Sequence, residues 1–198
     1  MSSGPENGES RRERRKREVH DRIVEAAVAL FERQGFDTTT ALEIADTADV
    51  AEKTFYNHFP TKQHLIEELA RESLERLMEI LTRAREAGGS ARERLLRFFA
   101  GAADEAESGS RPLARELILE WIRISQVEED RRLHDAFGAL IADGDAGSRE
   151  REFLADLAVA TYTGILINWV SRSGYPLRER LLAAARLLGD ALPPKEPR

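Results

Sequence analysis

The stretch TTTALEIADTADVAEKTFYNHFPTKQHLIEEL, residues 38–69, decides how the chain is read. Thr40 and Glu43 stand at capping-box spacing, so the hydroxyl can accept from an early backbone N–H while the carboxylate reaches back, and a short helix should start there. Leu42, Ala45 and Ala48 are its expected inner residues, the alanines small enough to let a second helix approach. The chain then turns through Asp49 and restarts near Glu52. Two short helices joined by a turn of three or four residues form a helix-turn-helix. In the second, Val50, Phe55 and Phe59 supply the inner side. Phe55 and Phe59, four apart, share one face, and at about 100° per residue Glu52, Lys53, Tyr56 and Asn57 cannot all join them. Several must point outward. An exposed set of Lys53, Thr54, Tyr56, Asn57 and His58 offers donors suited to phosphate oxygens and base edges, and has few uses in a core.

These residues resemble the DNA-binding segment of the TetR (tetracycline-repressor) family of transcriptional regulators. The family pattern runs roughly Thr-(Val)-x-x-Ile-Ala-x-x-Ala-Gly-Val-Ser-x-x-Thr-(Leu/Phe)-Tyr-x-His-Phe-x-x-Lys-x-x-Leu. Thr40, Ile44, Ala45, Ala48, Val50, Thr54, Phe55, Tyr56, His58, Phe59, Lys62 and Leu65 fall in register with it. The resemblance implies an all-α fold: an N-terminal three-helix helix-turn-helix DNA-binding domain joined to a larger helical ligand-binding and dimerisation domain. It also implies phosphate contacts from Tyr56, His58 and Lys62, and a backbone clamp from Thr40. Lys53 and Asn57 are the candidates for base reading, with Thr54 a further contact. Two departures stand out. Asp49 replaces the usual turn glycine, and Asp tolerates a left-handed backbone less readily than Gly. Ala51 replaces the usual serine and offers no capping oxygen, a loss worth about 1 kcal/mol in a typical helix.

Outside the motif the chain is helical in pattern almost throughout. Val19, Ile23, Ala26, Ala27, Leu30 and Phe31 form one apolar face of a helix that Gly35 ends. A leucine series from Leu65 to Leu81 predicts a long helix interrupted at Gly88–Ser90, followed by helices over Arg92–Ala106, Pro112–Ile124 and Glu129–Ile141. ESGSR (107–111) and DGDAGS (143–148) are loop chemistry. The expected organisation is a basic flexible arm over 1–17, the DNA-binding domain over 18–64, the regulatory and dimerisation domain over 65–192, and a tail over 193–198.

Charge is unevenly spread. The 198 residues sum to −6, which argues against non-specific coating of nucleic acid. Residues 1–64 hold ten Lys/Arg and twelve Asp/Glu, or −2, so DNA binding must use a local patch. Arg11–Arg17, RRERRKR, carries six positive charges and one negative. It reads either as a solvated tail or as a segment that contacts phosphates or enters a minor groove. With no cysteine, a disulfide framework and cysteine-ligated metal sites are excluded. No apolar run approaches the roughly 20 residues that cross a bilayer, so no membrane partner and a cytoplasmic location are expected.

Two apolar segments close the chain. Phe153, Leu154, Leu157, Ala158, Thr161, Ile165 and Trp169 mark one helix, and Leu177, Leu181, Ala184, Leu188 and Leu192 a second. Their surface is too apolar to leave wet. They pack into their own domain or, as the resemblance implies, pair with their copies in a homodimer that presents two recognition helices to a pseudo-palindromic operator. The resemblance also implies a small-molecule effector among the central helices, whose binding releases the DNA. Phe98, Phe99, Trp121, Phe137, Tyr162 and Trp169 are the candidate lining, with Asn168 or His134 as polar anchors. Four scattered histidines, no phosphate loop and no distinctive carboxylate pair give neither metal nor catalytic site, so no enzyme and no cofactor are expected. The function these features imply is a ligand-responsive regulator, expected to be a repressor. The alternative is an all-helical interaction or ligand-binding module that has lost sequence-specific DNA binding.

Overall fold

The computed structural model describes residues 10–124, 127–142 and 148–192, with side chains of 124, 127–130 and 148 not described. Residues 1–9 of the expected arm, 143–147 of the DGDAGS loop and the tail 193–198 lie outside the described residues. Among those described, the elements are helices: α1 (Arg11–Gln34), α2 (Ala41–Thr47), α3 (Glu52–His58), α4 (Lys62–Glu86), α5 (Ala91–Ser108), α6 (Arg111–Ile124), α7 (Val127–Ile141), α8 (Ser148–Ser171) and α9 (Leu177–Asp190). The chain divides into two compact units, 1–65 and 66–198.

In the first unit, the segment expected as a flexible arm is helical from Arg11 onward. Ser10 and Glu13 form a capping box: Glu13 N donates to Ser10 Oγ (3.2 Å) and Ser10 N to Glu13 Oε2 (2.9 Å). These bonds hold the Glu13 carboxyl below its usual range. The Ser-x-x-Glu signal was present in the sequence, masked by the charge run that follows it. Ile23, Ala26, Ala27, Leu30 and Phe31 are buried on one face of α1. Gly35, at φ 85°, ends the helix with its N–H on the Phe31 carbonyl (2.9 Å). The Thr39 hydroxyl, buried, donates to the Gly35 carbonyl (2.7 Å) and tightens the exit.

Helix α2 starts as the sequence predicts. Glu43 N donates to Thr40 Oγ1 (3.2 Å), and Thr40 N and Oγ1 donate to Glu43 Oε2 (2.8 and 2.9 Å). It ends in a Schellman motif with Asp49 in the left-handed position at φ 52°. Asp49 N donates to the Asp46 carbonyl (3.2 Å) and Val50 N to the Ala45 carbonyl (3.0 Å). Leu42, expected inside, is 51% exposed. The buried Ile44, Ala45 and Ala48 define the inner face, and Leu42 sits more than 90° round the helix from their mean direction.

The second unit has one core, built from Leu74, Leu81, Leu95, Phe98, Phe99, Phe137 and their neighbours on α4, α5 and α7–α9. Helices α5 and α9 lie close: a Cβ on Gly189 would stand 2.7 Å from Arg92 Cγ. Arg94, buried, donates to the carbonyls of Leu140 and Gly89 (both 2.6 Å), joining the end of α7 to the α4–α5 turn. Arg132 holds Glu75 through two bonds (2.9 and 3.2 Å), and Arg123 bridges the buried Glu120 (2.6 Å) and Glu67 (2.7 Å). The two carboxylates raise the Arg123 pKa above its ordinary value.

Helix α8 is long and apolar enough, by length and composition, to cross a membrane, which the sequence reading did not anticipate. One side of it, with Leu154, Ala155, Ala158, Tyr162, Leu166 and Trp169, is buried in the core. The other side exposes Phe153, Leu157 and Ile167, with Ala160 also exposed and Gly164 partly so. These five recur at steps of 4, 3, 4 and 3, a 3.5-residue period that keeps one seam on one side. Among the described residues, no atom outside Gly164's own stretch of helix backbone and its two chain neighbours lies within 4 Å of where its Cβ would be.

Candidate functional site

Helix α3 is held by two rings. Phe55 and Phe59 are buried and their centroids lie 6.0 Å apart. Lys53, Tyr56 and Asn57 are thereby turned outward, all exposed, with Tyr56 standing edge-on to Phe55 at 5.4 Å. Thr54 is half-buried at the margin of this face. Ala51 precedes the helix without a side-chain cap, as its composition requires.

The other candidate contacts are differently placed. His58, at the last turn, is half-buried with its ring 5.8 Å from His20, whose ring also packs 4.9 Å from Phe59. Burial, then the charges of His20 and Lys16, hold the His58 imidazole below its ordinary range. Lys62 turns into the α1–α2 connection: Nζ donates to the carbonyls of Phe36 and Thr39 (2.6 Å to the latter) and sits 4.1 Å above the Phe36 ring. Thr40 spends its hydroxyl proton on Glu43, so a phosphate could take that proton only by displacing the carboxylate. Six cationic side chains between Arg11 and Arg17 extend the first two turns of α1, all exposed. Sequence reasoning passed over Thr61, which accepts from His64 N (3.3 Å) and bonds His64 Nδ1 (2.8 Å) at the start of α4; a Thr before a helical run was the signal.

In the second unit, α4, α5, α6, α7 and α8 line a cavity of about 180 Å³ that is partly open to solvent. Leu74, Leu77, Leu113, Leu117, Ile118 and Leu166 give it an apolar wall, and Trp121, Tyr162 and Trp169 form its aromatic part. Arg76 and Glu105 are its charged members, paired at 2.7 Å. Phe98 and Phe137, expected in the lining, are instead wholly buried in a ring cluster with Phe99 behind Tyr162. Asn168 also stands apart from the lining, its Nδ2 donating to the Gly164 carbonyl one turn back (2.8 Å). His134 faces Glu152 and Asp156. Helical spacing identified the aromatics but could not separate ring stacking in a core from a cavity wall. Among the described residues, no group of His, Asp and Glu could hold a metal ion.

Residues 23–69 match the family model for bacterial regulatory proteins of the tetR family. That match spans the two short helices, their turn and the start of α4. Its similarity to the HTH-type transcriptional repressor KstR of Mycolicibacterium smegmatis is 28% identity over 196 residues, covering 95% of this chain and 93% of that one. The KstR of Mycobacterium tuberculosis is also 28% identical, over 92% of this chain and 84% of the relative. Among solved structures it resembles Thermus thermophilus FadR, a TetR-family repressor in complex with lauroyl-CoA, at 25% identity and a TM-score of 0.62, over 90% of this chain and 97% of that one. The TetR pattern thus coincides with the two short helices and their buried rings, and this chain keeps the turn's hydrogen bonds with Asp49 where that pattern has glycine.

Proposed function

We propose that this protein is a dimeric, ligand-responsive repressor of the TetR type that binds a pseudo-palindromic operator and leaves it when a small molecule enters the cavity of the second unit. The observation that carries the DNA reading is the α3 face: Lys53, Tyr56 and Asn57 point outward from a helix anchored by Phe55 and Phe59. Asn57 and Lys53 read base edges, the first suited to adenine and the second to guanine. Tyr56 bonds phosphate. His58 and Lys62 act one step back, His58 by packing against His20 and Lys62 by tying the α1–α2 connection, with the exposed cations of α1 supplying the electrostatic attraction that the −2 balance of this region lacks. Affinity should fall steeply with salt.

The dimer reading rests on the α8 stripe. A mid-helix glycine costs roughly 1 kcal/mol relative to alanine, and no steric contact among the described residues requires one at Gly164. A second helix approaching across Ala160 and Gly164, flanked by Phe153, Leu157 and Ile167, would account for it. The effector reading rests on an apolar cavity among α4–α8 and on the repressors this chain resembles, one of which binds lauroyl-CoA. Helix α4 carries both Lys62 and the cavity residues Ala70, Ser73 and Leu74, and so offers a covalent route between effector and head.

The test is selection of bound fragments from random DNA by the purified full chain. An enriched inverted repeat is the predicted outcome. Absence of any enriched sequence would leave an all-helical ligand-binding module without operator recognition.

A further inference from the structure

The cavity wall holds a buried hydrogen-bond donor that has no acceptor among the described residues. Trp121 contributes a ring to the wall, and its indole N–H is buried without a partner. Tyr162 lies 7% exposed on the opposite helix, and its hydroxyl donates to none of the described residues. Burial and the nearby Glu105 carboxylate keep that phenol protonated far above neutral pH, so it remains a donor. Trp169, also in the wall, carries a third donor. The wall's one carboxylate, Glu105, is already bonded to Arg76, and its other side-chain acceptors are the hydroxyls of Ser73, Ser108 and Ser110. That pair also leaves the wall without a net charge to attract an anion or a cation. A buried N–H left unpaired costs about 1–3 kcal/mol, and an apolar cavity cannot relieve it with water as readily as a ligand oxygen can.

On this basis, and resting on the reading of the cavity as the effector site, we propose that the effector is an apolar molecule whose buried part is uncharged and carries a carbonyl oxygen, of ketone, ester or thioester type, which Trp121 and Tyr162 engage as donors. The apolar leucine and isoleucine wall holds its hydrocarbon. The Arg76–Glu105 pair stays intact, since no ligand charge competes for either member. Trp121 is therefore a specificity-determining residue, separating carbonyl ligands from carboxylates and amines of the same chain length.

The test uses the full chain, ¹⁵N-labelled, with its two tryptophans giving two resolvable indole signals. Three eight-carbon probes, 2-octanone, octanoate and octylammonium, are titrated into wild type, Trp121→Phe and Tyr162→Phe. The inference predicts tightest binding of 2-octanone, a downfield shift of the Trp121 indole proton with that probe alone, and roughly tenfold weaker binding in Trp121→Phe. Octanoate or octylammonium binding as tightly as the ketone would overturn it. So would a ketone affinity indifferent to both substitutions while the Trp169 signal still responds, which would leave the effector cavity standing without its donor chemistry. If none of the three moves either indole signal, the effector reading of the cavity and this inference fail together.

Discussion

The two functional regions treat their polar groups in opposite ways. In the helix-turn-helix, almost every polar group behind the α3 face is satisfied within the chain: Thr40 by Glu43, Thr39 by Gly35, and the carbonyls of Phe36 and Thr39 by Lys62. The groups left over, on Lys53, Tyr56 and Asn57, all face solvent on one side. In the cavity the leftover group is an inner one, the Trp121 indole N–H, within a largely apolar wall. An outward set of unsatisfied donors on a rigid helix suits a large polar surface such as a duplex. An inward donor suits a small, largely apolar molecule. The position of unspent hydrogen-bonding capacity therefore distinguishes the two partners more sharply than residue composition does.

The largest effect should come from a surface that neither site uses. Leu157→Glu combined with Ile167→Glu places two carboxylates on the exposed α8 stripe and should convert a dimer to a monomer in sedimentation analysis, with helical content unchanged because both residues are already 37–40% exposed. A variant that sediments like wild type would remove the stripe from the dimer account.

Lys62 and Tyr56 sharpen the distinction between holding a head together and touching DNA. Lys62→Met removes two charge-assisted hydrogen bonds and a contact with Phe36, and should lower stability by about 2 kcal/mol, read as a fall of several degrees in the melting temperature. Tyr56→Ala should leave the melting temperature in place and weaken every DNA sequence alike. Next in size, Asn57→Ala should cost about 1–3 kcal/mol at one operator position and relax the base preference there.

Asp49→Gly probes the family departure directly. With φ at 52°, glycine should stabilise the turn by up to about 1 kcal/mol and, by removing a negative charge beside α3, strengthen DNA binding. The smallest effect concerns His58. Its folded pKa lies below its unfolded value, so the unfolded chain takes up the proton first as pH falls through about 6.5, and stability declines in that direction. His58→Gln should flatten this part of the profile in pH-dependent denaturation.

The head was legible in the sequence because each of its devices is local. A capping box, a four-residue ring spacing and a turn residue are short-range signals, and Thr40–Glu43, Phe55–Phe59 and Asp49 all behave as their spacing demands. The family resemblance supplied the register. What spacing could not reveal was the competition for individual polar atoms: Lys62 meets the Phe36 carbonyl 26 residues away, and no local pattern announces that. The same limit operated in the second unit. Phe98 and Phe137 carry the same helical spacing as Tyr162 and Trp169, yet the first two stack in the core while the others border the cavity. Which of several equivalent aromatics borders empty space depends on how α6 and α8 pack, which is long-range information. The helical start at Arg11 was a different kind of miss, a local signal hidden by the assumption that a charge run is flexible.

The central claim is that the outward face of α3 reads a duplex. Amide hydrogen exchange of the full chain, with and without the inverted repeat that it selects, tests this most directly. Slowed exchange should concentrate in residues 52–58 and in the first turns of α1. Tight, sequence-dependent binding that left residues 52–58 unchanged would contradict it.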